Sequence, residues 1–164
     1  MEDYRIRPAE PDDAKGLYAL RIMPGILEGI YAIPSEGLEN TKKFLQGLTD
    51  HDHMLCAVTD DGLIIGSICL SVSPIQRRRH CGTFGIMVHT DYQHQGVGTA
   101  LMRKLIDVAD NWLMLKRIEL TVFSKNTAAI KLYESFGFEA EGIKRASAVQ
   151  HGTYVDELIM ARIR

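Results

Sequence analysis

Residues 86–100 read Ile-Met-Val-His-Thr-Asp-Tyr-Gln-His-Gln-Gly-Val-Gly-Thr-Ala: an apolar run, a turn with two glycines, then a helical pattern. Leu101, Leu105, Val108, Ala109 and Trp112 follow at helical spacing and predict one apolar helix face. A strand, a glycine-bearing loop and a helix start together make an anion site. The first N–H groups of a helix have no internal partner, and the helix dipole adds partial positive charge there. Glycine lets a bulky ligand touch the backbone. The expected ligand is a phosphate or pyrophosphate. A P-loop needs a lysine after its last glycine, but Gly98 is followed by Thr99 and Ala100. A dinucleotide fingerprint needs Gly or Ala where Leu101 stands. What the loop does carry is Gln93-x-x-Gly96-x-Gly98. Taken alone, that pattern also suits an ordinary helix-capping turn.

Other reactive residues give less. Cys56, Cys69 and Cys81 sit in or beside strand-like runs, without metal-ligand spacing. They read as free, buried thiols in a reducing compartment, and no metal site is expected. Arg77, Arg78 and Arg79 read as a solvated basic turn, or alternatively as a site for coenzyme phosphates or a substrate carboxylate. The formal net charge of −2 gives no reason to expect nucleic acid or a membrane surface as partner. No apolar run reaches about 18 residues, so no membrane span is expected. Met1-Glu-Asp-Tyr-Arg5 lacks the apolar core of a signal peptide, and a cytoplasmic location is expected.

The elements that must position these residues are legible in order. At 164 residues the chain suits one domain, 1–164. Residues 4–8 alternate as a short strand. Pro11, Asp12 and Asp13 read as a helix start, and Ala14, Leu17, Leu20 and Ile22 give a short amphipathic helix. Residues 24–34 are apolar but broken by Pro and Gly; they form either a mobile flap over a pocket or a packed connector. Ser35 is the expected N-cap of a second helix running to about Leu48. Strands follow at 53–59 and 63–72, joined by the turn Asp60-Asp61-Gly62, and at 80–88. After the central helix come a strand at 117–123, a helix at 127–136 stopped by Gly137, and strands at 138–149 and 153–163 around His151-Gly152. This order implies an α/β domain, a mixed sheet with helices on its faces.

Asn126-Thr-Ala-Ala-Ile-Lys-Leu-Tyr133-Glu-Ser-Phe-Gly137-Phe138 follows the glycine loop by about 30 residues. With Gln93-x-x-Gly96-x-Gly98 and the element order, it resembles the GNAT superfamily of N-acetyltransferases, over essentially the whole chain. The resemblance implies a mixed, mostly antiparallel sheet of about seven strands with four flanking helices. It also implies that the strand before the loop splays from its neighbour and that acetyl-CoA lies in the gap. By position, Ile86, Met87 and Val88 then supply main-chain contacts to the coenzyme. Gln93, His94, Gln95, Gly96, Val97, Gly98 and Thr99 form the pyrophosphate cradle. Asn126 binds the coenzyme by its side chain and Tyr133 is the general acid. Asn126 is equally a good helix cap, and Tyr133 a core aromatic with a wet hydroxyl.

The chemistry suits these roles. A neutral amine attacks the thioester carbonyl, and backbone N–H groups near Met87 and Val88 would stabilise the charge building on its oxygen. A tyrosine with an ordinary pKa near 10 stays protonated at neutral pH and can give its proton to the leaving thiolate. The general base is open. Some family members use a glutamate where Thr121 stands, which cannot serve; Glu119, two residues earlier on the same face, Glu28, His89 and water are the candidates.

Within the superfamily the chain is most similar to bacterial free L-amino-acid N-acetyltransferases. The similar stretches are Arg78-Arg79-His80, Phe84-Gly85-Ile86, Asp110-Asn111-Trp112-Leu113, residues 117–123 and Gly152-Thr-Tyr-Val-Asp156. That implies a small α-amine substrate with its carboxylate met by an arginine, in a pocket bordered by the 24–34 flap, with Tyr31 the candidate there, and the 151–154 turn. Ribosomal-protein N-terminal acetylation is the nearest enzymatic alternative. A non-catalytic acyl-CoA sensor and a nucleotide-binding protein are the others. Family members often dimerise through their last strands, so a homodimer is expected.

Overall fold

The computed structural model describes residues 3–164. Its strands are β1 (Tyr4–Pro8), β2 (Asp52–Thr59), β3 (Ile64–Val72), β4 (Cys81–Val88), β5 (Arg117–Phe123), β6 (Glu139–Gln150) and β7 (Thr153–Ile163). They form one sheet in the order β1-β2-β3-β4-β5-β7-β6. Every neighbouring pair is antiparallel except β4 and β5, which run parallel. The α-helices among the described residues are α1 (Ala14–Arg21), α2 (Leu38–Gln46), α3 (Val97–Asp107) and α4 (Thr127–Ser135). A parallel pair needs a crossover, and α3 is the crossover between β4 and β5. The α/β class and the mixed, mostly antiparallel sheet with four helices are as expected from the sequence.

Two apolar clusters hold the sheet between its layers. Cys56, Val58 and Ile64 pack with Leu17 and Leu20 of α1. Ala57, Ile65, Ile68 and Leu70 pack with Leu101, Met102 and Leu105 of α3. Alternation along β2 divides its residues between the two. In β3 the register shifts opposite Ala57 and Val58, so Ile65 is an extra residue and the alternation resets there. Gly66 then sits under α3: a Cβ there would lie 2.9 Å from Leu101 Cδ1 and 3.1 Å from the Met87 carbonyl oxygen. This close approach seats α3 against β3 and fixes where the glycine loop emerges.

Two local expectations are corrected. The second helix starts at Leu38, not at Ser35. Gly37 is its N-cap, and the Asn40 side chain accepts the Gly37 N–H at 3.2 Å. Trp112 was expected on the apolar face of the central helix but is 78% exposed. After Asp107 the helix widens into a π turn, Val108–Trp112, where the Leu113 N–H donates to the Val108 carbonyl five residues back at 3.0 Å. The extra residue rotates the following side chains off the core face.

Candidate active site

Pairing between β4 and β5 stops early. Cys81, Gly82 and Thr83 pair with Arg117, Ile118 and Glu119, and no further pair follows. Beyond Thr83 the two strands open into a cleft of about 640 Å³. On its other side β4 stays paired with β3 through Val88. The bonds from Ser73 N–H to the Cys81 carbonyl and from His89 N–H to the Ile65 carbonyl fix the phase of that ladder. Antiparallel ladders alternate, so odd residues of β4 turn their main chain to β3, and Phe84, Ile86 and Val88 turn theirs to the cleft. Ile86 and Val88 line it. Met87, grouped with them from the sequence, does not. Its N–H and C=O face Ser67 on β3.

The loop after β4 is stitched by side chains. Gln93 donates to the Val88 carbonyl at 3.1 Å and Gln95 to the Asp91 carbonyl at 2.6 Å. Gly96 is the N-cap of α3 with φ +88°, a left-handed conformation that favours glycine. The Ala100 N–H donates back to the Gly96 carbonyl at 2.9 Å. The amides of Val97, Gly98 and Thr99, one turn earlier, therefore have no helical acceptor. Gln93, His94, Gly96, Gly98 and Thr99 border the cleft. The Gln95 side chain is turned to the loop, and Val97 is buried in the core at 2% exposure. A helix N-terminus opening on two glycines fits a pyrophosphate.

Asn126 borders the cleft and also caps α4, its Oδ1 accepting the Ala129 N–H at 3.3 Å. Tyr133, in the last turn of α4, lies edge-on to Phe84 and to Phe138, with ring centroids 5.6 and 6.2 Å away. Its ring is buried. No hydrogen bond to its hydroxyl is found, yet no buried polar side-chain atom among the described residues lacks a partner, so the hydroxyl opens to the cleft. Burial pushes its pKa up to about 12.

Segment 24–34 is both connector and cover. Ile26 is buried in the α1 cluster, while Gly29, Ile30 and Tyr31 border the cleft. The Tyr31 ring stands edge-on to Phe123, and its hydroxyl donates to Glu157 Oε1. Partial desolvation, then the bond to that carboxylate, push the Tyr31 hydroxyl up to about 12. Gln150 donates to the Glu28 carbonyl at 2.7 Å.

The expected bases lie elsewhere. Glu119 accepts from Arg117 Nε at 2.8 Å and from Arg78 at 3.1 Å. This ion-paired cluster, with Glu141 on Arg117, lies where β4 begins. Eight residues of β4, about 25 Å, separate it from the glycine loop. A phosphate held at that loop is therefore too far to meet Arg78, and Arg78 does not border the cleft. Glu28 accepts the Gly25 N–H at 2.7 Å, and His89 Nδ1 accepts the Asp91 N–H at 3.2 Å. None of these three carboxylate or imidazole groups borders the cleft.

Residues 24–138 match the model of the acetyltransferase (GNAT) family. The chain belongs to the GNAT family. It is an acyltransferase, and the family's acyl donor is acetyl-CoA. The chain is 34% identical to the L-amino acid N-acetyltransferase AaaT of Escherichia coli K12, over the whole length of both. It is 40% identical to the ribosomal protein bS18-alanine N-acetyltransferase of the same organism over 84 residues, 48% of this chain and 52% of that one. A crystal structure of a GNAT-family acetyltransferase from Streptococcus pneumoniae superposes with a TM-score of 0.83 at 28% identity, covering 98% of this chain and 99% of that one. Among the described residues of this GNAT protein no helix is long and apolar enough to cross a membrane.

Two charged groups in the cleft of this GNAT protein are absent from the sequence reading. Arg21 enters from the last turn of α1, and Glu157, 3% exposed, enters from β7. No motif marks either. Glu157 sits beside Asp156 in β7, and only the register shows which of the two turns inward.

The neutral buried groups set an alkaline limit on stability. Burial first, then the nearby Asp13 carboxylate, raise Cys56 to about 12, and burial raises Cys69 to about 11 and Tyr133 to about 12. A group raised in the folded state contributes stability below its unfolded pKa and loses it as pH rises through the folded one. For Tyr133, moving from 10 to about 12 corresponds to roughly 2–3 kcal/mol. Urea midpoints should therefore fall steadily between pH 9 and 12. A midpoint constant to pH 12 would contradict these burials.

Proposed function

We propose that this protein transfers the acetyl group of acetyl-CoA to the α-amine of a free L-amino acid by direct attack. The observation that carries the reaction is the opening between β4 and β5, with an anion-binding helix start at one end and the Tyr133 hydroxyl inside. The full-length likeness to an L-amino acid N-acetyltransferase supports the substrate class.

The residues present suit each step. The amides of Val97, Gly98 and Thr99 hold the pyrophosphate, and Asn126 borders the coenzyme's path. Ile86 and Val88 offer main-chain groups to the pantetheine arm and, through an N–H, to the negative charge that builds on the carbonyl oxygen. Tyr133 gives its proton to the departing sulfur. A pKa of about 12 keeps that proton on the tyrosine across the physiological range. The sulfur departs into the same sheltered cleft, where burial raises a thiol's proton affinity as well. Arg21, at 3.2 Å from Glu36 and on the lining, is the cation for the substrate carboxylate.

A thiol-release assay with acetyl-CoA should give turnover on free amino acids and little on polyamines or aminoglycosides. Turnover confined to peptide N-termini would favour the ribosomal-protein reading, which the 40% match over half the chain keeps open. Arg21→Gln should raise KM for an amino acid at least tenfold and leave KM for its carboxamide nearly unchanged. Equal effects on both would remove Arg21 from carboxylate recognition.

A further inference from the structure

Among the described residues Glu157 is the one carboxylate bordering the cleft, and it is 3% exposed. A buried carboxylate is costly unless it is paired or well hydrogen-bonded. No cation among the described residues forms an ion pair with it. Two hydroxyls hold it instead. Tyr31 donates to Oε1 from the 24–34 segment, and Ser147 donates to Oε2 at 2.6 Å from β6. Ser147 reaches it only because β6 is irregular. The register jumps between Lys144 and Ala148, and the Asp156 carboxylate pins the displaced stretch by accepting the Ala146 N–H at 2.8 Å. Such bulges re-aim side chains beside active sites. Lys144 is paired with Glu157 in register, but its own side chain is exposed. Thus three elements converge to orient one anion in the acetyl-transfer cleft and leave its charge uncompensated.

Resting on the acetyltransferase reading above, we propose that Glu157 receives the substrate's ammonium group and takes its proton. A carboxylate offers about four lone-pair sites, and the two hydroxyls use two. An ammonium fills the remainder with N–H donors and supplies the missing positive charge. The proton balance closes. The ammonium N–H bond breaks and its proton moves to a Glu157 oxygen, leaving a neutral amine. The nitrogen lone pair forms the new C–N bond, and the C–S bond breaks with its electron pair on sulfur. Tyr133 protonates that sulfur. The nitrogen then loses a second proton, which restores the tyrosine through solvent, and Glu157 returns its proton to solvent. One proton of the two lost from nitrogen thus ends on CoA and one in solvent. Glu157 occupies a place on β7 that Glu119, Glu28 and His89 do not reach.

The test is Glu157→Gln, which keeps shape; its amide oxygen accepts from one hydroxyl, and the other hydroxyl turns to accept from the amide N–H. Expected is a fall of at least a hundredfold in kcat/KM for an amino acid, with acetyl-CoA affinity within twofold of native. With methoxyamine, a primary amine already neutral at pH 7.5, the deficit should shrink below tenfold. Equal deficits on both amines, or none on either, would overturn the role. A second measurement needs no variant. On the native enzyme the N,N-dimethyl analogue of the substrate, which keeps a cationic N–H but cannot be acetylated, should inhibit at least tenfold better than the hydroxy analogue. Equal inhibition overturns the role too. Native enzyme silent on every amine would remove the acetyltransferase reading itself. Active native enzyme with an unimpaired Glu157→Gln variant would remove Glu157 alone.

Discussion

Tyr133→Phe is expected to lower turnover by about 10²–10⁴-fold, the usual range for loss of a positioned acid, with acetyl-CoA affinity within twofold of native. The change removes one oxygen that opens to the cleft and leaves the ring against Phe84 and Phe138. Packing is therefore kept, and melting temperature should hardly move. The effect should sit in kcat, because the donated proton matters only as the C–S bond breaks. Single-turnover kinetics with acetyl-CoA prebound would show it. Unchanged kcat in the variant would make Tyr133 a core aromatic and leave the thiolate to be protonated by water.

Gly98→Leu should separate stability from binding. A Cβ at Gly98 would stand 3.4 Å from Leu132 Cδ2 and 3.6 Å from Val88 Cγ2, both ordinary contacts. The fold accepts the substitution; Gly98 is the second residue of α3, where leaving glycine gains less than the roughly 1 kcal/mol of a helix interior. The rest of the side chain has only the space between β4 and α4, at the mouth of the cleft. Melting temperature is thus expected to hold or rise. Acetyl-CoA affinity is expected to fall at least a hundredfold, about 2.7 kcal/mol. Calorimetric titration and a melt on the same sample check both. Native affinity in a folded variant would place the coenzyme elsewhere.

The parts legible in the sequence were those written in local chemistry. β1, β5 and β7 lie where alternation and β-branching put them, and Gly137 and Gly62 end their elements with positive φ. The glycine loop was legible because a strand, a turn and a helix start follow one another in the sequence, whereas Tyr133 was singled out only through the family resemblance and lies on the cleft lining. The α2 start was missed because Asn40 supplies the cap bond from inside the helix. Trp112 was misplaced because a π turn has no periodic signal. Met87 shows a subtler limit. Which residues of β4 turn their main chain to the cleft depends on its register with β3, and that pairing joins distant parts of the chain. Arg21 and Glu157 were missed for the same reason. Each is an ordinary charged residue until α1, β6 and β7 bring it to the opening.

The measurement that decides most directly is amide hydrogen exchange with and without acetyl-CoA. The expected result is new protection at Phe84, Ile86 and Val88, whose main chain faces the cleft, and at 94–99 in the glycine loop. The β1 and β2 amides should be unaffected. Protection confined to the smaller cavity of about 320 Å³ beside Pro8, Met54 and Leu105 would contradict the placement of the coenzyme between β4 and β5, and with it the roles of Tyr133 and Gly98.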